Sequence, residues 1–312
     1  MQDTRTDYEA LLQRLEWKVI RHLDGQLQGN YRSLLRGYGL DLADLREYQP
    51  EDDVRHIDWN ITARLQKPYV RQYLEDREMT AWFLLDVSPS VDFGSGEMEK
   101  SSLLLEFVAV MARLLTRHGN RVGAILFNER IEQVVPPRSG RSQILHLLSL
   151  LDSRTRRESS LPTDLGSSLH QAIHLIPRRS FLFILSDFIS RPGWERPLSH
   201  LARRHELLAV RLYDPLEREL PNLGLFVMQD AETGEQIFVD TGDPMFRQRY
   251  VDAVQRRESE LRGQFRRTGC ELLELSTEED LLRNLLRFIG LRKIRIRNQI
   301  RHQPFQSAGK NL

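Results

Sequence analysis

The sequence predicts an α/β fold: a mostly parallel central sheet with helices on both faces, preceded by a helical and turn-rich N-terminal extension. Three observations predict it. Short apolar runs of strand length recur, as in Thr80-Ala-Trp-Phe-Leu-Leu-Asp86 and Phe181-Leu-Phe-Ile-Leu185. These runs are continuous rather than alternating, as strands buried on both faces require. Stretches with apolar residues at helical spacing stand between them, and such alternation packs a parallel sheet between two helical layers.

Taken in order, residues 7–23 place Leu11, Leu12, Leu15, Trp17, Val19, Ile20 and Leu23 at helical spacing, which predicts an amphipathic helix. A loop covers 24–30. Residues 31–67 hold Gly37, Gly39 and Pro50 among many charges, with Pro68 next, a pattern of turns and short elements. Residues 69–76 alternate like a strand, and 80–86 form the first buried strand. Helices are then expected at 98–117, 142–151, 165–176, 194–203, 246–267 and 278–289. Strands are expected at 122–127, 131–135, 181–185, 207–213 and 271–275, with a hairpin over 226–239 turning at Glu232-Thr-Gly-Glu235. The chain thus divides into an N-terminal helix and turn-rich segment at 1–78, an α/β domain at 79–290 and a basic tail at 291–312.

Composition narrows the function classes. Of the 312 residues 40% are hydrophobic and 29% charged, too apolar for a disordered chain. No apolar run approaches the ~18 residues needed to cross a bilayer, and the charged N-terminus lacks the apolar stretch of a secretion signal. A cytoplasmic protein is expected. The single Cys270 excludes an internal disulfide and a thiolate metal cage, and its place at the start of an apolar run reads as a packed structural cysteine. The net charge of +1 is uneven: residues 291–312 carry Arg292, Lys293, Arg295, Arg297, Arg301 and Lys310 and no acid, so the body is slightly acidic. A nucleic-acid binder would place a basic stripe on its folded face; cations at a helix C-terminus are the simpler reading.

In open α/β sheets ligands bind beyond the carboxyl ends of the strands. The first buried strand ends in Asp86-Val-Ser88-Pro-Ser90, ahead of the loop Asp92-Phe-Gly94-Ser-Gly96. One carboxylate and two hydroxyls at this spacing can turn their oxygens to one point, which suits magnesium; the plainer reading is a capped strand-end turn. Two further oxygen-bearing pairs stand at predicted element ends: Thr163-Asp164 before a helix and Ser186-Asp187 after a strand. Asp86 is expected at a solvent-facing edge, where its loss costs little stability.

This pattern of Asp86, Ser88, Ser90, Thr163 and Asp187 resembles the metal-ion-dependent adhesion site of von Willebrand factor A domains. The resemblance implies a divalent metal, magnesium first with manganese or calcium as alternatives. It implies direct ligation by Ser88, Ser90 and Thr163, water-mediated contacts from the two aspartates, and an open position for a partner's carboxylate. Asp187-Phe188 departs from the family's common Asp-Gly. A second resemblance lies upstream, where the run from Gly39 to Arg64, including Arg46-Glu-Tyr-Gln-Pro-Glu-Asp-Asp53 and Arg55-His-Ile-Asp-Trp-Asn60, is similar to the hallmark of the bacterial domain-of-unknown-function 58 family. Members are often encoded beside MoxR-type AAA+ ATPases, which implies a chaperone-like or assembly partnership. Some members carry membrane segments ahead of this region.

Asp52, Asp53, His56 and Asp58 form a second polar cluster, but the neighbouring Arg46, Arg55 and Arg64 favour ion pairs and capping bonds over metal binding. Trp59 is expected to anchor that segment against the sheet. Enzyme motifs are missing: there is no His-Glu-x-x-His, no Gly-x-Ser-x-Gly elbow, and Ser88 stands where an aspartyl-phosphate enzyme needs a second acid. In Gly94-Ser-Gly-Glu-Met-Glu-Lys100-Ser101, Glu99 replaces the second glycine of a phosphate loop. The expected function is therefore metal-dependent protein binding, serving an AAA+ ATPase. The alternative is a metal-dependent hydrolase or phosphate-handling enzyme built on the same strand end.

Overall fold

The computed structural model describes residues 44–49, 52–54, 57, 59, 62, 63, 66–72, 79–153, 163–229 and 236–302. The expected helix over 7–23, the turn at 232–235, His56, Asp58 and the last ten residues of the basic tail lie outside them. Strands β1 (Asp44–Glu47) and β2 (Tyr69–Gln72) pair antiparallel, with Asp44 opposite Gln72.

The main sheet has six strands: β3 (Thr80–Asp86), β4 (Arg121–Phe127), β5 (Ile131–Arg138), β6 (Phe181–Ser186), β7 (Glu206–Tyr213) and, after the hairpin β8 (Leu225–Gln229) and β9 (Gln236–Asp240), β10 (Glu271–Ser276). Its order is β10-β7-β6-β3-β4-β5, parallel except for β5. Counted in chain order within the sheet, the strands run 3-2-1-4-5-6 from β5 to β10, the doubly wound arrangement. The connections diverge between β3 and β6, so the crevice for a ligand opens where Asp86 and Asp187 stand. β5 continues past its expected end at 135 through Pro136 and Pro137, which an edge strand tolerates because its outer N–H groups need no partner.

Six helices cover the sheet among the described residues: α1 (Lys100–Arg117), α2 (Arg141–Asp152), α3 (Leu165–Leu175), α4 (Glu195–Arg204), α5 (Pro244–Thr268) and α6 (Leu281–His302). The period-2 alternation of β3 decides which side each faces. Ala81, Phe83 and Leu85 pack with Phe107 of α1, Leu147 of α2 and Leu285 of α6. Trp82 and Leu84 pack with Leu169 of α3, Leu198 of α4 and Phe265 of α5. Both sides are dry, as the continuous apolar run required.

Two local expectations change and one holds. Trp59 is 69% exposed and anchors nothing. The last helix runs beyond 289 to His302, so the basic stretch begins as helix, with Arg292 paired to Glu271 at 2.9 Å. In the upstream polar cluster, Asp52 accepts the Gln49 backbone N–H at 2.8 Å, a turn bond as expected. No helix among the described residues is long and apolar enough to cross a membrane.

Candidate functional site

Asp86 closes β3 and is completely buried, which overturns the solvent-facing edge expected for it. Its Oδ1 accepts the Ser88 N–H at 3.0 Å and its Oδ2 the Ser186 hydroxyl at 2.6 Å. Burial, and then the charge of Asp187, push its pKa up from 3.8 to about 6 against the pull of these bonds.

The loop after Asp86 is pinned at two points. Val87 N–H donates to the Phe127 carbonyl at 2.8 Å, and the fully buried Val91 enters the core on the α1 side. Between them Pro89 opens a one-turn 3-10 helix, Pro89–Asp92, at the position where its missing N–H costs nothing. The result turns two buried hydroxyls together: Ser88 Oγ and Ser90 Oγ are 3.0 Å apart. Oxygens at right angles around magnesium, at about 2.0–2.1 Å from it, stand about 2.9–3.0 Å from one another. The pair therefore has the spacing of neighbouring ligands in an octahedron.

Asp187 follows β6 and is buried. Its Oδ1 accepts the Ile189 N–H at 2.9 Å, and Phe188 N–H donates to Ser186 Oγ at 2.9 Å, so the loop folds back on its own side chains. Phe188 has φ 58°, the left-handed conformation that glycine adopts freely. For a phenylalanine this costs about 1–2 kcal/mol. The ring is buried against Trp194 and Phe265, at centroid distances of 5.6 and 4.9 Å, which offsets that cost. The backbone that Asp-Gly would form is thus reached with Asp-Phe.

Thr163 is buried, and its carbonyl accepts Ser190 Oγ at 2.9 Å and Arg191 N–H at 3.2 Å. It is thereby fastened to the loop leaving β6, while Asp164 caps α3 by accepting the Ser167 N–H at 2.8 Å. The five residues singled out from sequence are accordingly placed in two groups. Asp86, Ser88 and Ser90 are linked by hydrogen bonds; Asp187 acts on Asp86 by charge, and the loop it opens is bonded to the Thr163 carbonyl.

Three further residues were not singled out as part of the site. Lys100, the first residue of α1, has a side chain with no exposed surface. Its Nζ donates to Asp187 Oδ2 at 3.0 Å and to Glu217 Oε1 at 2.5 Å, and lies 5.9 Å from the Phe93 ring centroid. Burial works against the ammonium, but the charges of Asp187 and Glu217 outweigh it and hold the lysine above its usual pKa. Asp214, just beyond β7, caps the 3-10 turn Pro215–Glu217, and Glu217 Oε2 accepts the Asp214 N–H in return at 3.2 Å. The sequence signal for this turn was Asp214-Pro215 with Glu217 at the capping-box position. Among the described residues no three His, Cys, Asp or Glu side chains gather as a metal cluster, so any metal here depends on the hydroxyls.

The α/β fold is doubly wound, with its switch point between β3 and β6. Solved structures similar to the chain include BatB from Bacteroides thetaiotaomicron, 12% identical with a TM-score of 0.45, over 69% of this chain and 99% of that one. Another is the SpRpn10 VWA domain, 13% identical with a TM-score of 0.37, over 67% of this chain and 94% of that one. In sequence, the uncharacterized protein Rv1480 of Mycobacterium tuberculosis is 36% identical over 284 residues, covering 91% of this chain and 89% of the relative. The uncharacterized protein MAV169 of Mycobacterium avium is 33% identical over 159 residues, 51% of this chain and 94% of the relative. Residues 44–260 match the model of the family described as protein of unknown function DUF58, and the chain belongs to that family.

Proposed function

We propose that the chain is a metal-dependent protein-interaction module in which Asp86, Ser88, Ser90, Thr163 and Asp187 hold a divalent cation, magnesium first, at the switch point of the sheet. The observation that carries this reading is the Ser88–Ser90 hydroxyl pair, set at ligand spacing beside a buried carboxylate that, among the described residues, touches no cationic side chain. A buried carboxylate without a counter-charge is costly, and the raised pKa of Asp86 is the sign of that cost. A cation beside the hydroxyls relieves it. Because the hydroxyls are neutral, the bound ion keeps charge to offer a partner's carboxylate at an open position.

Support for binding over catalysis comes from the same geometry. The acids and hydroxyls of the strand end have no histidine among their hydrogen-bond partners, and Lys100 is engaged by two carboxylates. A general base there would have to be Asp86, whose pKa is raised to about 6 but which is buried and bonded through both oxygens. The partner we favour is a MoxR-type AAA+ ATPase, met in the cytoplasm during chaperone-like assembly; that choice follows from the family resemblance. Calorimetry tests the reading in two steps. Mn2+ or Mg2+ should bind the folded protein and fail to bind the Ser88→Ala/Ser90→Ala variant. Binding of a MoxR-type ATPase encoded beside the gene should then be lost in excess EDTA. Undiminished affinity for the ATPase in EDTA would overturn the metal contact.

A further inference from the structure

We propose that Lys100 is a built-in cation of the strand-end site, one that makes the site hold a divalent ion loosely and an acidic partner side chain firmly, so that ion and partner bind together. The inference rests on the metal reading above and adds the partner's chemistry to it.

Three acids are linked in series at this end of the sheet: Asp187 acts on Asp86 by charge, and Lys100 joins Asp187 to Glu217. Lys100 touches two of them, Asp187 at 3.0 Å and Glu217 at 2.5 Å, and makes no hydrogen bond to Asp86 or the serine hydroxyls. It therefore occupies one side of Asp187 and leaves the Ser88–Ser90 pair open to a second cation. The ammonium cannot swing away. Its side chain has no exposed surface, it begins a helix of 18 residues, and Glu217 is itself held by the capped turn at Asp214. Its location is set from both sides before any ligand arrives.

The charge count gives the consequence. The Lys100 ammonium offsets one carboxylate charge at Asp187, so a divalent ion at the hydroxyl pair meets a field less negative by one unit. Without the ammonium the cradle would keep an extra negative charge with the ion bound. Such a cradle grips the ion harder and repels an incoming carboxylate; with Lys100 both effects reverse. Lys100 acts through Asp187 and the local field, so it is a positioning residue rather than a ligand.

The test is the sign of two effects in one variant. Lys100→Met keeps most of the side-chain volume and removes the charge. Titrated with Mn2+ alone, followed by calorimetry and water-proton relaxation, the variant should bind about tenfold more tightly than wild type. Acetate added to the Mn2+-loaded proteins should bind the variant more weakly than wild type. A purely structural lysine would not move the two affinities in opposite directions. Equal or weaker Mn2+ binding by a natively folded variant, or unchanged acetate binding, overturns the inference and leaves the metal reading standing. Failure of wild type itself to bind Mn2+ sinks the metal reading instead. Should Lys100→Met fail to fold, Glu217→Gln serves: with one acid gone the ammonium bears on Asp187 alone, and Mn2+ affinity should fall several-fold. An unchanged affinity there overturns the inference equally.

Discussion

Asp86 and Asp214 stand in equivalent places and behave in opposite ways. Each lies at the carboxyl end of a parallel strand and neither has exposed surface. Asp214 accepts four hydrogen bonds: Ser95 N–H at 2.9 Å, Ser95 hydroxyl at 2.6 Å, Leu216 N–H at 3.0 Å and Thr277 hydroxyl at 2.8 Å. Burial would raise its pKa, but these donors outweigh it and hold the carboxyl below its usual value. Asp86 draws its donors from Ser88 and Ser186 alone and is pushed up to about 6. The difference separates two uses of a buried acid. Asp214 ties three segments together: the loop before α1, the turn after β7 and the end of β10. Asp86 lacks such a set of donors, and under the proposed function a cation would take their place.

Four experiments can break or sharpen this contrast, in order of expected size. Asp214→Ala should lower the unfolding free energy by about 3–5 kcal/mol, because several buried donors lose a charged acceptor at once. Urea denaturation measures it, and a loss under 1 kcal/mol would mean that Asp214 does not join the three segments.

Asp86 carries the opposite sign in pH. Its folded pKa is above the unfolded one, so the native state binds the proton more tightly and loses stability as pH rises from 3.8 to about 6. In EDTA, the stability difference Asp86→Asn minus wild type should grow by about 2–3 kcal/mol across that window. A flat difference would show that Asp86 ionises without strain. Ser95→Ala comes third, costing about 1–2 kcal/mol by removing one donor from Asp214 while the backbone bond remains. The smallest effect is for Ser88→Ala/Ser90→Ala in EDTA. The two hydroxyls bond to each other and Ser88 also to Asp86, so removing both should cost no more than about 1 kcal/mol. A large loss would make the pair structural.

The sheet was legible because burial on both faces writes strands as continuous apolar runs. β3 and β6 fall within a residue of their expected limits. Ends set by tertiary contacts were less legible: β5 continues through two prolines because it is an edge, and α6 continues past 289. The Asp86, Ser88 and Ser90 group could be read because all its members lie on one short loop. Lys100 could not. It stands in a stretch that looks like a failed phosphate loop, and its partners Asp187 and Glu217 are 87 and 117 residues away. Ser95 and Asp214 are 119 residues apart, so nothing local marks either as a partner of the other.

The left-handed Phe188 has a consequence for how a partner is received. A glycine after Asp187 would let that loop swivel at little cost, whereas the Phe188 ring packs in one cluster with Trp194 at the start of α4 and Phe265 of α5. Turning the loop would mean extracting an aromatic side chain from the core. The rim of the crevice is therefore preshaped, and under the proposed binding role a partner would meet a rigid socket in place of a hinge. Docking to such a rim proceeds with little backbone rearrangement. Its speed is then governed by diffusion, orientation and surface charge, and most of the discrimination between partners falls to how slowly each one leaves.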